Sequence, residues 1–308
     1  MEQLEFNIPQ EDRAKWHEWL IEADICGMQT EMERGGLTAE LLVSLYLERI
    51  HTFNPLLKAV LELNSDAREL ARQLDSERKE TGPRSMLHGI PVLLKDNIGT
   101  ADKLHTSARS LALAASTAAA DAAVAGSLRQ AGAVILGKTN MTEWANYMSS
   151  SMWAGYSSRG GLTLNPYGPG ELFVGGSSSG SAVAANLAAA AVGTETSGSI
   201  VGPASQNCIV GLKPGAGVVS SAGMIPAIGS QDTARPMTRS VRDAAILLGA
   251  MRTSGSRGLP QADNRSSSNT DYTGYFDAGR VKSASYSGGR LNRKGLNPEP
   301  CYRLRVSP

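Results

Sequence analysis

Apolar residues recur at helical spacing through the first eighty residues. Apolar positions three and four residues apart predict helices over 11–33 and 38–53. Thr38 precedes the apolar face of the second helix and is expected to cap it. A third helix is predicted over about 66–79, because the Thr81-Gly82-Pro83 cluster that follows it breaks helices. The chain is therefore expected to begin with a group of helices.

Short apolar runs alternate with Gly-rich turns and Ala-rich helical stretches after the third helix. Buried strands are predicted over 90–94 and 134–136. Further helices are predicted over 121–131, 180–190 and 240–251. Alternation of this kind predicts an α/β architecture, in which helices pack on a largely buried sheet.

The periodicity is lost beyond residue 252, where Ser, Gly, Asn and Asp become frequent. We therefore predict a domain over 1–252, made of N-terminal helices (1–80) and a core (81–252), and an irregular tail over 253–308. The tail carries nine Lys and Arg against four Asp and Glu, whereas the rest of the chain carries 21 against 25. The net charge of the whole chain is +1. A mildly acidic body lacks the basic surface that nucleic-acid binding requires, so nucleic acid is not expected as a partner.

The cysteines Cys26, Cys208 and Cys301 are widely spaced and form no CxxC pair. Neither a disulfide framework nor a zinc cluster is therefore expected. The first residues lack the basic and then apolar pattern of a signal peptide, and no apolar stretch reaches 18 residues. The expected location is the cytoplasm, without attachment to a membrane.

Three segments contain residues that could carry chemistry: HGIPVLLKDNIGT (88–100), GGSSSGS (175–181) and GTETSGSI (193–200). Neither Gly-rich segment has the GK[ST] or GxGxxG pattern of a phosphate-binding loop. A turn of small residues that permits close packing is the alternative interpretation. Lys95 ends the apolar run of the first segment, where it is either partly desolvated or extends its amine into solvent.

A serine nucleophile needs a base, and lysine can take the place of the usual histidine. The chain has only four histidines and no GxSxG motif. Lysine has an ordinary pKa of about 10.4, so burial must lower that pKa before the amine can accept a proton near neutral pH. Together the three segments favour serine hydrolase chemistry with Lys95 as the base.

The three segments, in this order and with GLKP, GMIP and QDTARPMTRS downstream, resemble the amidase signature family over residues 37–251. The TETSGSI sequence is most similar to the branch of broad-specificity and peptide amidases. The resemblance implies a mixed β-sheet flanked by α-helices and preceded by N-terminal helices. It also implies hydrolysis of carboxylic amide C–N bonds through an acyl-enzyme, with release of ammonia or an amine, and without cofactor or metal.

The resemblance further implies roles for particular residues. Ser199 would be the nucleophile, Lys95 the base, and Ser177 the serine between them, with a cis peptide bond between Gly176 and Ser177. The implied oxyanion hole consists of backbone N–H groups, those of Thr196, Ser197, Gly198 and Ser199. Gly176, Ser178 and Thr194 would support the triad, although capping of a turn is the alternative for the two hydroxyls.

The implied substrate is a small amide or an amidated peptide. Val201 stands where some members carry an arginine for acidic substrates, which argues against a carboxylate-bearing substrate. A homodimer is allowed by the resemblance. One alternative is the glutamine-hydrolysing subunit of a tRNA-dependent amidotransferase, and another is an inactive, truncated homologue.

Several positions depart from the family pattern. Ser177 and Ser199 are 22 positions apart, two fewer than in the family, and the shortage falls in the Ala-rich helix. Two residues turn a helix by about 200°, so either the following loop absorbs the change or a different face packs. Arg109 and Arg235 stand where the family usually has glycine, and a position with positive φ disfavours arginine. Ser197 also replaces a common glycine.

Overall fold

The computed structural model describes residues 13–172, 174, 176–215, 217–252 and 271–276. Within them the α-helices are α1 (Arg13–Glu22), α2 (Ile25–Glu33), α3 (Ala39–Leu57), α4 (Ala67–Thr81), α5 (Ala123–Gln130), α6 (Ser179–Ala184), α7 (Val201–Gln206) and α8 (Val241–Met251). The strands are β1 (Val60–Leu63), β2 (Pro91–Lys95), β3 (Val134–Thr139), β4 (Tyr156–Ser157), β5 (Gly161–Leu162), β6 (Ala190–Glu195), β7 (Val210–Gly211) and β8 (Thr233–Thr238). Short turns of 3₁₀ type lie at Leu111–Leu113, Glu143–Asn146 and Thr273–Phe276.

Six strands form one mixed sheet in the order β1-β3-β2-β6-β8-β7. Its centre is parallel, since β2 pairs in parallel with both β3 and β6, whereas β1, β8 and β7 join antiparallel. Strands β4 and β5 form a separate antiparallel pair. Helices α4 and α5 contact β3, α6 contacts β6 and α8 contacts β8. The predicted mixed sheet flanked by helices is confirmed.

The central strands are buried along their whole length, which explains their apolar sequences. Parallel strands end at the same edge of a sheet, and Leu94 of β2 lies opposite Val192 of β6. The residues that follow β2 and β6 therefore emerge side by side. This edge brings Lys95 next to the turn that follows Glu195.

The N-terminal helices differ from the prediction in one respect. The single helix expected over 11–33 is two helices, because Asp24 adopts an extended conformation and caps α2 by accepting from the N–H of Gly27. Thr38 caps α3 as predicted, accepting from the N–H of Leu41 at 3.0 Å. Gly82 ends α4, also as predicted.

Helix α6 is shorter than the predicted helix over 180–190. It ends at Ala184, and Asn186 follows with a left-handed φ of 54°. The N–H of Asn186 donates to Val183 and the N–H of Leu187 donates to Ala182, the two hydrogen bonds of a Schellman motif. The chain therefore leaves α6 through this motif and enters β6 at Ala190.

The two arginines at expected glycine positions behave differently. Arg109 has a left-handed φ of 68°, as expected at a position where the family usually has glycine. Its side chain is buried. Arg235 lies in the extended strand β8, paired with Gly193, so the expectation of a left-handed position was wrong there. Its guanidinium donates to the carbonyl of Pro214 at 2.6 Å.

Helix α8 and the residues before it hold the junction between α1 and α2. The N–H of Ile25 donates to Asp243 at 3.1 Å, across 218 positions of sequence. Arg239 donates to the carbonyl oxygens of Ile21 and Ala23. Burial raises the pKa of Asp243 to about 6, against the opposing effect of the Ile25 hydrogen bond.

Candidate functional site

Lys95 is the last residue of β2, and its side chain is buried. Its Nζ donates to the carbonyl oxygen of Thr194 at 2.8 Å. Burial lowers the pKa of Lys95 to about 7, although the negative charges of Asp232 and Glu195 act in the opposite direction. Near neutral pH a large fraction of this amine is therefore unprotonated and can accept a proton.

Ser177 lies two residues before the start of α6 and is fully buried. The chain around it is tied to the residues that follow β3, because Ser178 N–H donates to Asn140 at 3.2 Å and Ser177 forms an isolated bridge with Met141. Ser177 Oγ donates to the carbonyl of Thr194 at 3.4 Å. Lys95 and Ser177 thus approach the same carbonyl oxygen and lie next to each other.

The peptide bond expected to be cis is not. The described residues contain no cis peptide bond, so the bond between Gly176 and Ser177 is trans in this structure. The carbonyl oxygen of Gly176 accepts from the N–H of Thr142 at 3.4 Å, which joins this segment to the residues that follow β3.

Ser199 lies in the turn between β6 and α7, and its side chain is half-buried. The carboxylate of Glu195 organises this turn by accepting from the N–H groups of Ile200 at 2.7 Å and Val201 at 3.2 Å. Burial raises the pKa of Glu195, but the Lys213 ammonium at 2.6 Å and these N–H donors outweigh burial and hold it below its ordinary value. The turn is therefore built around a buried, ionised carboxylate.

Gly176 precedes Ser177 in sequence and lies against Ser199 in space. A Cβ atom placed on Gly176 would lie 2.6 Å from Ser199 Oγ and 3.2 Å from Ser199 Cβ. Only glycine therefore allows Ser199 to approach so closely the segment that carries Ser177. The three residues implied by the resemblance lie in one place, but no hydrogen bond joins any two of them among the described residues.

Replacing Gly176 with alanine is expected to displace Ser199 and to reduce acylation of Ser199 by at least about 100-fold, because small misplacements of reacting groups are costly. The rate of labelling by a fluorophosphonate measures the effect. Gly202→Ala is the matched control, since a Cβ at Gly202 meets nothing within 4 Å. Labelling of Gly176→Ala at the wild-type rate would contradict the assigned contact.

The expected oxyanion-hole residues follow β6 directly. Thr196 donates its hydroxyl to Asp232, Ser197 is exposed, and Gly198 has a left-handed φ of 79°. The N–H of Gly198 contributes to lowering the pKa of Glu195, so this donor is directed at Glu195 rather than into the cleft.

The two supporting hydroxyls make different contacts. Thr194 donates its hydroxyl to Asn97 at 3.1 Å, while its carbonyl receives Lys95 and Ser177. Ser178 bonds to Thr163 at 2.8 Å and makes no side-chain cap of α6. Thr194 thus contacts Lys95 and Ser177 through its backbone, whereas the hydroxyl of Ser178 contacts Thr163.

Lys95 and Ser199 line one small cleft. Most of its remaining lining is apolar and comprises Ala108, Met141, Trp144, Ala145, Ile225, Pro226 and Ala227. The polar exceptions include Asn97 and Asp232. Sequence reasoning missed these two, although Asn97 directly follows Lys95-Asp96 and Asp232 lies in the recognised QDTARPMTRS segment.

No group of three or more His, Cys, Asp or Glu side chains in the described part of the chain could hold a metal ion. Across the same residues, no helix has the length and apolar character needed to cross a membrane.

Comparison with known proteins gives a consistent result. A family model described as Amidase matches residues 41–275. A probable amidase of Arabidopsis thaliana is 48% identical over 238 residues, which cover 75% of this chain and 46% of that protein. The structure of native peptide amidase from Stenotrophomonas maltophilia is 47% identical, with a TM-score of 0.75, and the match covers 82% of this chain and 52% of that one.

A second kind of relative also matches. A glutamyl-tRNA(Gln) amidotransferase subunit of Pseudomonas syringae is 40% identical over 257 residues, which cover 79% of this chain and 52% of that protein. The chain spans about half the length of these relatives.

Proposed function

Because the chain belongs to the amidase family, we propose that it hydrolyses the C–N bond of carboxylic amides. Ser199 is the nucleophile, Ser177 transfers the proton, and Lys95 is the base. The observation that carries this proposal is the burial of Lys95, which lowers its pKa to about 7 in a cleft that it shares with Ser199. A lysine at its ordinary pKa would be protonated and could not accept a proton.

Acylation begins when neutral Lys95 accepts the proton of Ser177, which accepts the proton of Ser199. The hydroxyl hydrogen of Ser177 turns from the Thr194 carbonyl to Lys95 Nζ, which approaches the same oxygen. Ser199 Oγ then bonds to the amide carbon, and the charge on the carbonyl oxygen is stabilised by backbone N–H donors. These donors are drawn from Thr196, Ser197 and Ser199, since the N–H of Gly198 is directed at Glu195.

The second half of the reaction restores the enzyme. The proton returns through Ser177 to the amide nitrogen, the C–N bond breaks, and ammonia or an amine leaves. Water loses a proton to the same relay as it attacks the Ser199 ester. The relay then returns this proton to Ser199 Oγ as the ester bond breaks, and the carboxylic acid leaves. Each step transfers protons among groups of the chain and the substrate, so no cofactor takes part.

The substrate class follows from the cleft. Apolar side chains line most of it, and Val201 at the start of α7 offers no cation to a substrate carboxylate. Uncharged aliphatic or aromatic amides and C-terminally amidated peptides suit this lining. The cytoplasmic location and a homodimer remain predictions.

Ammonia release from a panel of such amides tests the proposal. We expect turnover of neutral amides and little of amides that carry a carboxylate near the acyl carbon. If no amide turns over and a fluorophosphonate does not label Ser199 in the folded protein, the chain is an inactive homologue and the proposal is wrong.

Glutamine hydrolysis within an amidotransferase is the second candidate, and the amidotransferase relative favours it. Glutaminase activity that appears only when a partner protein is added would support this candidate. Turnover of simple amides by the chain alone would favour the first.

A further inference from the structure

Residues 225–227 form one wall of the cleft, and hydrogen bonds hold this wall at both ends. At the first end, the N–H of Ile225 donates to the Asn97 carbonyl at 2.8 Å. The side-chain amide of Asn97 donates back to the Ile225 carbonyl at 3.1 Å. Since Asn97 is two residues beyond Lys95, this end of the wall is attached to the strand that carries the base.

The second end is held by Asp232. Its Oδ2 accepts from the N–H groups of Ala227 at 2.6 Å and Ile228 at 2.9 Å. Its Oδ1 accepts from the hydroxyl of Thr196, which belongs to the turn that carries Ser199. One carboxylate therefore joins the wall of the cleft to the nucleophile turn.

Asp232 also differs electrostatically from the other acids near Lys95. Glu195 is paired with Lys213 at 2.6 Å and lies near Arg235, and Asp96 accepts from Ser107 and from the backbone of Arg109. Asp232 has no ion-pair partner among the residues that the structure describes. Its charge is balanced only by hydrogen-bond donors, and it raises the pKa of Lys95 against the effect of burial.

We propose that Asp232 is a positioning residue for amide hydrolysis, which holds the wall 225–227 against the Ser199 turn and keeps an unpaired negative charge beside Lys95. This inference rests on the proposed function for its catalytic meaning. The attachment of the wall 225–227 and the protonation of Lys95 can both be measured without turnover.

Competitive acetylation tests the electrostatic part. The folded protein is treated with trace acetic anhydride between about pH 5 and pH 10, and mass spectrometry gives the acetylated fraction of Lys95. We expect a midpoint near 7 in the wild type. In Asp232→Asn the midpoint should fall by roughly half a pH unit or more, because a nearby negative charge is lost. Thr196→Val, which removes one hydrogen bond and keeps the charge, should leave the midpoint unchanged.

Hydrogen exchange tests the positioning part. Amides of the 225–232 peptide are expected to exchange faster in both Asp232→Asn and Thr196→Val than in the wild type. An unchanged midpoint in Asp232→Asn overturns the electrostatic role. Unchanged exchange in Thr196→Val overturns the attachment of the wall, even if Asp232→Asn does not fold. Failure of the proposed function would show separately, as a wild-type protein whose Ser199 no fluorophosphonate labels.

Discussion

Replacing Ser199 with alanine is expected to reduce amide hydrolysis by a factor of about 10⁴ or more. Loss of the nucleophile of a serine hydrolase removes the covalent route and leaves only binding and oxyanion stabilisation. Ammonia release measures turnover, and fluorophosphonate labelling, read by mass spectrometry, should be lost at the same position. Full activity of Ser199→Ala would show that the nucleophile is another residue.

The fold of this variant should be intact. The hydroxyl of Ser199 makes no hydrogen bond to any described residue, so its removal leaves no buried donor or acceptor without a partner. The melting temperature is therefore expected to change little. Ser205→Ala is the matched control, because Ser205 is an exposed serine of α7, a few residues further along. It should keep both turnover and labelling.

Replacing Lys95 with methionine is expected to abolish acylation and, at neutral pH, to stabilise the fold. Burial lowers the pKa of Lys95 from 10.5 to about 7. Between pH 7 and pH 10.5, Lys95 is protonated in the unfolded chain but not in the folded one. The free energy of unfolding therefore decreases as the pH falls through this range. Below pH 7 the burial of Lys95 lowers the free energy of unfolding by at most roughly 5 kcal/mol. Methionine has a similar shape and no proton to lose on burial. The Thr194 carbonyl, which loses Lys95 as a donor, still accepts from Ser177.

Denaturant unfolding of wild type and Lys95→Met across the pH range checks this expectation. The stability advantage of the variant should be largest at pH 7 and below. It should shrink as the pH rises and vanish well above 10.5, where neither protein releases a proton from residue 95 on folding. A variant that is less stable than the wild type at pH 7 would contradict the burial of a costly amine.

Local patterns predicted the elements that lie within one stretch of sequence. The buried strand that ends at Lys95 and the helix capped by Thr38 are of this kind, because apolar spacing and a capping residue act over a few positions. Strand β8 was missed, since Arg235 and Pro236 are poor strand residues and the pairing with Gly193 comes from a distant segment. The end of α6 was also missed, because Asn186 acts there as a left-handed cap in an otherwise Ala-rich run.

In the candidate site too, local motifs could be predicted from the sequence, whereas contacts between distant segments could not. Lys95 and Ser199 could be singled out because the motifs around them are contiguous in sequence. The role of the Thr194 carbonyl could not be foreseen, since a backbone oxygen has no signature in the sequence. Asp232 was equally hidden, because its contacts to Thr196 and Ala227 depend on how two loops meet.

The hydrogen bond between Ile25 and Asp243 sets an order for folding during synthesis. These residues are 218 positions apart, so this hydrogen bond cannot form until the ribosome has delivered α8. At typical elongation rates this takes roughly 10–40 s. Throughout that interval Trp16, Leu20 and Met28, which are buried in the finished protein, have no completed core to cover them. The hydrogen bond that ties the junction of α1 and α2 to α8 is therefore made late in synthesis, after the strands between them have been delivered.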